Sequence, residues 1–276
     1  MIKHYLKVAF RNLMKYKTQS LVSIIGLAVG FTCFALSALW IRYEMTYDNF
    51  HKGSDRIYMV RAHYANEPGT SKFTPYPLME YLQDKMPEIE AATAFTPHHV
   101  KFRLEETEQE VGMIDADSVF MNFFDIQLLK GTVNFLKSDG QEVAITKEFA
   151  KRLFSKEEDA LGKEVEVGRR VCKIGAIVSG WSNHSNIPYN ILAPARHSPR
   201  WGSSNEQLFI RVRERTDIDA FRTKMSTVRI NDIEKESELS DLLITRMSAL
   251  RYSDYVDKAD VVISFSYIFY FWQADW

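Results

Sequence analysis

Acidic residues are missing from the first 43 positions of this 276-residue sequence, and Glu44 is the first of them. Five bases (Lys3, Lys7, Arg11, Lys15 and Lys17) stand before position 42. The remainder holds 30 bases and all 36 acids, so a formal charge of −1 conceals +5 at one end and −6 over the rest. A chain split in this way is read in two pieces. Its near-neutral total excludes an extended nucleic-acid-binding surface. Cysteine is scarce too. Cys33 lies in an apolar run and Cys172 in a polar-flanked strand, which excludes a disulfide scaffold and leaves two free thiols as the expectation. No Cys/His spacing resembles a zinc site.

Catalytic signatures are equally absent. Gly162-Lys163-Glu164 lacks both the leading glycine and the following hydroxyl of a phosphate loop. No G-x-G-x-x-G follows a strand, and there is no G-x-S-x-G elbow. His98 and His99 adjoin, which on a strand sends them to opposite faces, so they read as surface residues. His184 and His197 sit in polar stretches with no spaced ligand partner. Asp115 and Asp117 read as a turn and a helix cap rather than an acid pair. Nothing nominates an enzyme, a metal or a cofactor.

What is present begins with Leu21–Ile41, an apolar run without an ionisable residue in the physiological range. As a helix it spans roughly 30 Å, the thickness of a bilayer's hydrocarbon core. Trp40 and Tyr43 fall at its far end, where amphipathic aromatics prefer to lie, and Gly26 and Gly30 form a GxxxG. The five bases ahead of it place the N-terminus in the cytoplasm and the acidic remainder outside. A cleaved signal peptide is disfavoured by the long basic lead and the length of the apolar run. Ile2, Leu6, Ala9, Phe10, Leu13 and Met14 recur at helical spacing opposite Lys3, Lys7, Arg11 and Lys15. That pattern predicts a basic amphipathic helix lying on an anionic surface, or simply a positive flank that sets topology.

Beyond residue 42 helices and strands interleave. Strands are predicted at Arg56–His63, Ala91–Phe95, Val143–Ile145, Leu208–Val212 and Leu242–Thr245. One hairpin joins Val100–Leu104 to Glu110–Ile114 across the acidic tip Glu105-Glu106-Thr107-Glu108, and a second joins Val165–Val167 to Val171–Val178. Helices are predicted at Pro77–Met86, from Lys147, and at Asp217–Val228. The mixture reads as α+β with mixed sheets in two small subdomains. Val261–Trp272 is uncharged, and reads either as a core strand or as the first half of a second membrane helix.

Several blocks resemble the N-terminal part of a MacB/FtsX-type ABC transporter permease, in the form found in Bacteroidetes. Arg11-Asn12-Leu13 is similar to the family's opening before its first membrane helix. The stretch Glu44, Tyr47, Asp48, Phe50, His51, followed by Arg56-Ile57-Tyr58, resembles its E-x-x-[FY]-D-x-[FY]-H…R-I-Y block. Pro87-Glu88-Ile89-Glu90, the Asp117-to-Gly131 block with Phe123 and Phe124, and Leu161-Gly162-Lys163 match further blocks in order. Ser185-Asn186-Ile187-Pro188 resembles a turn of the family.

The resemblance implies a cytoplasmic basic helix over 1–17, a first transmembrane helix over 18–42, a MacB-like periplasmic core domain over 43–260, and a truncated second membrane helix over 261–276. That core domain has a porter-like part and a smaller second part. The resemblance further implies the bacterial inner membrane and a separate ABC ATPase that binds ATP. A second permease copy and a periplasmic adaptor or lipoprotein are implied as partners, with efflux or motion passed outward as the task. Glu44–Phe50 would be a continuous stalk. The alternative is a single-pass anchored periplasmic sensor or scaffold. A membrane-anchored hydrolase has only the absence of motifs against it.

Overall fold

The computed structural model describes residues 2–64, 69–181, 184–228 and 239–251. The chain divides into two units, residues 1–46 and 47–276. The apolar stretch Val261–Trp272 lies outside the described residues.

The first unit is two helices, α1 (Ile2–Lys15) and α2 (Lys17–Glu44), separated at Tyr16, whose ψ of 57° departs from helical geometry. No proline interrupts the 28 residues of α2. Its apolar side chains, among them Leu27, Phe31, Phe34 and Leu39, are exposed. Among the described residues it is one helix long and apolar enough to cross a membrane. α2 ends at Glu44, and residues 45–50 are turns, so the expected continuous stalk over Glu44–Phe50 is corrected. The physical reason lies at Asp48, whose φ of +58° no right-handed helix accommodates.

The second unit contains strands β1 (Ile57–Tyr64), β2 (Thr70–Ser71), β3 (Thr74–Pro75), β4 (Ile89–Leu104), β5 (Thr107–Ala116), β6 (Leu128–Gly131), β7 (Glu142–Thr146), β8 (Glu164–Val167), β9 (Arg170–Val178), β10 (Ile191–Pro194), β11 (Ser204–Val212) and β12 (Leu239–Arg246). Its helices are α3 (Pro77–Lys85), α4 (Ser118–Phe123), α5 (Lys147–Leu153) and α6 (Ile218–Ser226). The strands follow the order β12-β1-β11-β4-β5-β10-β7-β9-β6.

Two βαβ units, β1-α3-β4 and β11-α6-β12, interleave to give β12-β1-β11-β4 with antiparallel neighbours. This is a split βαβ plait. Leu78 and Leu82 of α3 and Phe221 and Met225 of α6 pack with Tyr58, Val60, Leu208 and Ile210 on one face. The opposite face brings Ile57, Phe95 and Phe209 against Phe120, Phe123 and Phe124. Each fully buried phenylalanine or leucine contributes about 1.5–3 kcal/mol relative to exposure.

Between β4 and β11 the chain inserts a second layer. β4 pairs with β11 over Ile89–Phe95 and with β5 over Thr96–Leu104. The two strands predicted at Ala91–Phe95 and Val100–Leu104 are therefore one, of 16 residues. Pro97, which lacks an N–H, is tolerated near the point where β4 exchanges one partner for the other. The strands β4, β5, β10, β7, β9 and β8 then pair in sequence, and β8 pairs back onto β4, closing a ring of six. Alternate residues of each strand (Val111, Val143, Ile145, Cys172, Ile174, Ile191) fill its interior, joined by Phe149 of α5. The intervening residues Ala144 and Leu192 turn instead to the shared middle core.

The predicted α+β architecture with mixed sheets is thus present, the plait and the ring being its two parts. The second hairpin, α3 and α6 fall within two residues of expectation, whereas in the first hairpin β5 starts at Thr107, three residues ahead of the expected Glu110, and β12 runs from Leu239 to Arg246. Asp115 is a correction: it lies within β5, not in a turn, and its carboxylate meets His98 at 2.9 Å. Asp117 is the expected cap, accepting from Phe120 N at the start of α4.

Candidate functional site

The residues of the Glu44-to-Tyr58 block do not share one place. Glu44 closes α2. Tyr47, Asp48, Phe50 and His51 belong to the second unit, where Tyr47, Asp48 and His51 meet a segment 130 or more positions onward. Asp48 is fully buried. Its carboxylate accepts from Ser185 Oγ at 2.5 Å, from Asn186 N at 3.1 Å and from Asn186 Nδ2 at 2.6 Å. Its own N–H donates to His184 O at 3.2 Å. The Tyr47 ring lies 3.9 Å from the His184 ring, and Arg251 sits 4.4 Å over it. Aspartate suits this corner because its short polar side chain tolerates the left-handed backbone and turns back onto local donors.

Burial raises the Asp48 carboxyl above its ordinary 3.8, and the hydrogen bonds from Ser185 and Asn186 oppose that rise. Beside it, His51 is enclosed by aromatic rings. Phe50 lies at 4.2 Å, Trp181 at 4.8 Å and Phe124 at 5.1 Å between centroids. Burial, then the Arg211 charge, pushes its imidazole down to about 4. At neutral pH it is an uncharged ring whose buried Nε2 has no hydrogen-bond partner among the described residues. Trp181 Nε1 donates to Ile187 O at 2.9 Å, so the same turn is held from its other side. Ser185 gives its proton to Asp48 and accepts from Ile187 N. The arrangement is a latch in which the Asp48 carboxylate is held by donors from Ser185 and Asn186.

The remaining motif residues do structural work elsewhere. Arg56 bonds Glu90 at 2.5 Å and Val212 O at 3.0 Å, tying the start of β1 to β4 and β11. Ile57 and Tyr58 point to the two opposite cores. Phe123 and Phe124 fill the middle core, and Arg211 caps Phe123 through its carbonyl at 2.6 Å and over its ring at 4.7 Å. Gly131 has φ +84°, and a Cβ there would stand 2.2 Å from Gly175 O. In Leu161-Gly162-Lys163, Gly162 N donates to Ile174 O and Ile174 N donates to Lys163 O, so the block supports β9 through backbone atoms. This is why it is not a phosphate loop.

One cluster was missed at the sequence level. His197 Nδ1 lies 3.0 Å from Glu206 Oε2 and its Nε2 lies 3.4 Å from Asp117 Oδ2, with Tyr76 stacked 4.0 Å away. Burial acts to lower its pKa, but the two carboxylates prevail and hold it up at about 9. The three come from a loop, a cap and a strand, so no spacing announces them. Among the described residues no group of three or more His, Cys, Asp or Glu is arranged to hold a metal ion.

The family model for the MacB-like periplasmic core domain matches residues 20–228. Among solved structures, a domain assigned to a permease from Porphyromonas gingivalis is 19% identical with a TM-score of 0.57, covering 71% of this chain and 92% of that one. The extracellular domain of the noncanonical ABC-type transporter YknZ from Gram-positive bacteria is 14% identical with a TM-score of 0.51, covering 68% and 99%. The periplasmic region of MacB from Actinobacillus actinomycetemcomitans is 12% identical with a TM-score of 0.50, covering 72% and 92%. Among curated proteins no relative matches.

Proposed function

Because the chain belongs to the MacB-like periplasmic core domain family, the domain type of ABC-type permeases, we propose that it serves as a membrane-anchored permease subunit. In this reading α2 crosses the bacterial inner membrane and the basic lead stays in the cytoplasm. The plait and ring then stand in the periplasm. A separate ABC ATPase binds and hydrolyses ATP, and its closure is passed outward through α2. A second permease copy and a periplasmic adaptor or lipoprotein complete the assembly, and the work done is export of substrates or motion delivered to periplasmic partners. In this reading catalysis belongs to the ATPase.

The observation that carries this reading is that the family match begins inside the apolar helix and runs on into the second unit. The latch supports it, since Asp48 ties the first residues after α2 into the body of the outer domain. Affinity isolation of the tagged gene product from its own host in mild detergent should recover an ABC ATPase. Recovery of the protein with no ATPase, in the presence and absence of ATP, contradicts the reading.

A further inference from the structure

The ring of strands has a rim that the reading above does not use. There a cleft of about 330 Å³ opens, within the range of about 300–1,000 Å³ common for small-molecule pockets. The mouths of β-barrels are among the places where such pockets occur. Its floor is apolar and continuous with the ring interior, formed by Met113, Val143, Val167 and Ala193, with the Cys172 thiol donating to Gly140 O at 3.3 Å.

The polar wall is built differently. The one acid among its described lining residues, Asp115, is already matched by His98 at 2.9 Å, and the lining Arg196 guanidinium is taken up by Asp139, which is not part of the wall. Arg169 and Arg170, at the turn between β8 and β9, also line the cleft, and neither has an acidic partner among the described residues. The Arg170 guanidinium lies across Gly140, 3.2 Å from where a Cβ would stand, so that turn leaves it room. Two adjacent unpaired guanidinium groups over an apolar floor match an oxyanion attached to an apolar body.

We infer that this rim binds a small soluble amphipathic oxyanion, with Arg169 and Arg170 holding its charged group and Met113, Val143 and Ala193 receiving its apolar part. The volume admits one ring or short chain, not the two acyl chains of a membrane lipid. The inference stands apart from the transporter reading, and its failure leaves that reading untouched.

The test is calorimetric titration of the full chain in non-ionic detergent with phenyl phosphate as probe. Saturable binding at one site is expected, with inorganic phosphate weaker and neutral phenyl glucoside silent. Arg169→Gln with Arg170→Gln should weaken phenyl phosphate roughly tenfold or more, while melting as the parent does. Ala193→Met, which fills the floor and spares both arginines, should weaken phenyl phosphate but not inorganic phosphate. Dioleoyl phosphatidate added to the micelles should not displace the probe. Absence of saturation, wild-type affinity in the arginine variant, equal binding of the glucoside, or displacement by the lipid would each overturn the assignment.

Discussion

Asp48 accepts hydrogen bonds from both the backbone N–H and the side-chain amide of Asn186, at 3.1 and 2.6 Å, across 138 positions of sequence. With Ser185 also donating to it, this carboxylate fixes the first residues of the second unit to a turn far along the chain.

Removing that carboxylate strands several buried donors at once. Asp48→Ala should cost about 3 kcal/mol, the scale set by loss of charge-assisted bonds and by donors left unsatisfied. Asp48→Asn keeps an acceptor and tolerates the left-handed backbone, so its loss should be clearly smaller. Urea unfolding of the full chain in detergent, followed by tryptophan fluorescence, measures both. Equal stability of Asp48→Ala and the parent would show that the latch contributes nothing.

Two glycines of the family blocks make opposite demands. Gly131 and Gly162 both have positive φ, at +84° and +77°. A Cβ at Gly131 would collide with Gly175 O at 2.2 Å, whereas at Gly162 nothing lies within 4 Å. Gly162→Ala should therefore cost about 1–2 kcal/mol, the backbone term alone. Gly131→Ala adds displacement of β9 and should cost more. The ordering is read from melting temperatures, and a reversed order would mean that β6 does not sit against β9 as described.

Much of this was legible in the sequence. Charge asymmetry and the uncharged span marked the helix, the strands β1 and β9 were expected close to where they fall, and Asp117 announced its cap. The latch was not legible from spacing, because Asp48 and Asn186 lie in irregular segments that only the assembled sheet brings together. The long β4 was hidden by Pro97, which usually argues against a strand interior and is accommodated here near a change of partner. β10 is four residues long, too short to show a period. The supposed stalk followed from the resemblance, and the left-handed Asp48 ends it.

Histidines of opposite character shape the pH dependence. His51 falls to about 4 in the folded protein from an ordinary 6.5, so the unfolded chain binds more protons between those values. Stability from this group is present above about pH 6.5 and is lost as pH falls toward 4. His197 rises to about 9, so its contribution is present below 6.5 and is lost as pH climbs through 9. Melting temperature should therefore peak near pH 6.5. His51→Gln should flatten the acid side and His197→Gln the alkaline side. Asp48, raised by burial, acts against His51 at the acid end, so the comparison is between variants rather than with a flat line. A profile unchanged by either substitution would contradict the enclosure of both rings.

If α2 spans the membrane, its basic lead lies on one side and the acidic second unit on the other. Fusing alkaline phosphatase or a cytoplasmic fluorescent reporter after Phe10 and after Ala150 decides it in a bacterial host. The account predicts phosphatase activity only after Ala150 and fluorescence only after Phe10. Phosphatase activity after Phe10 with fluorescence after Ala150 would invert the topology and contradict it.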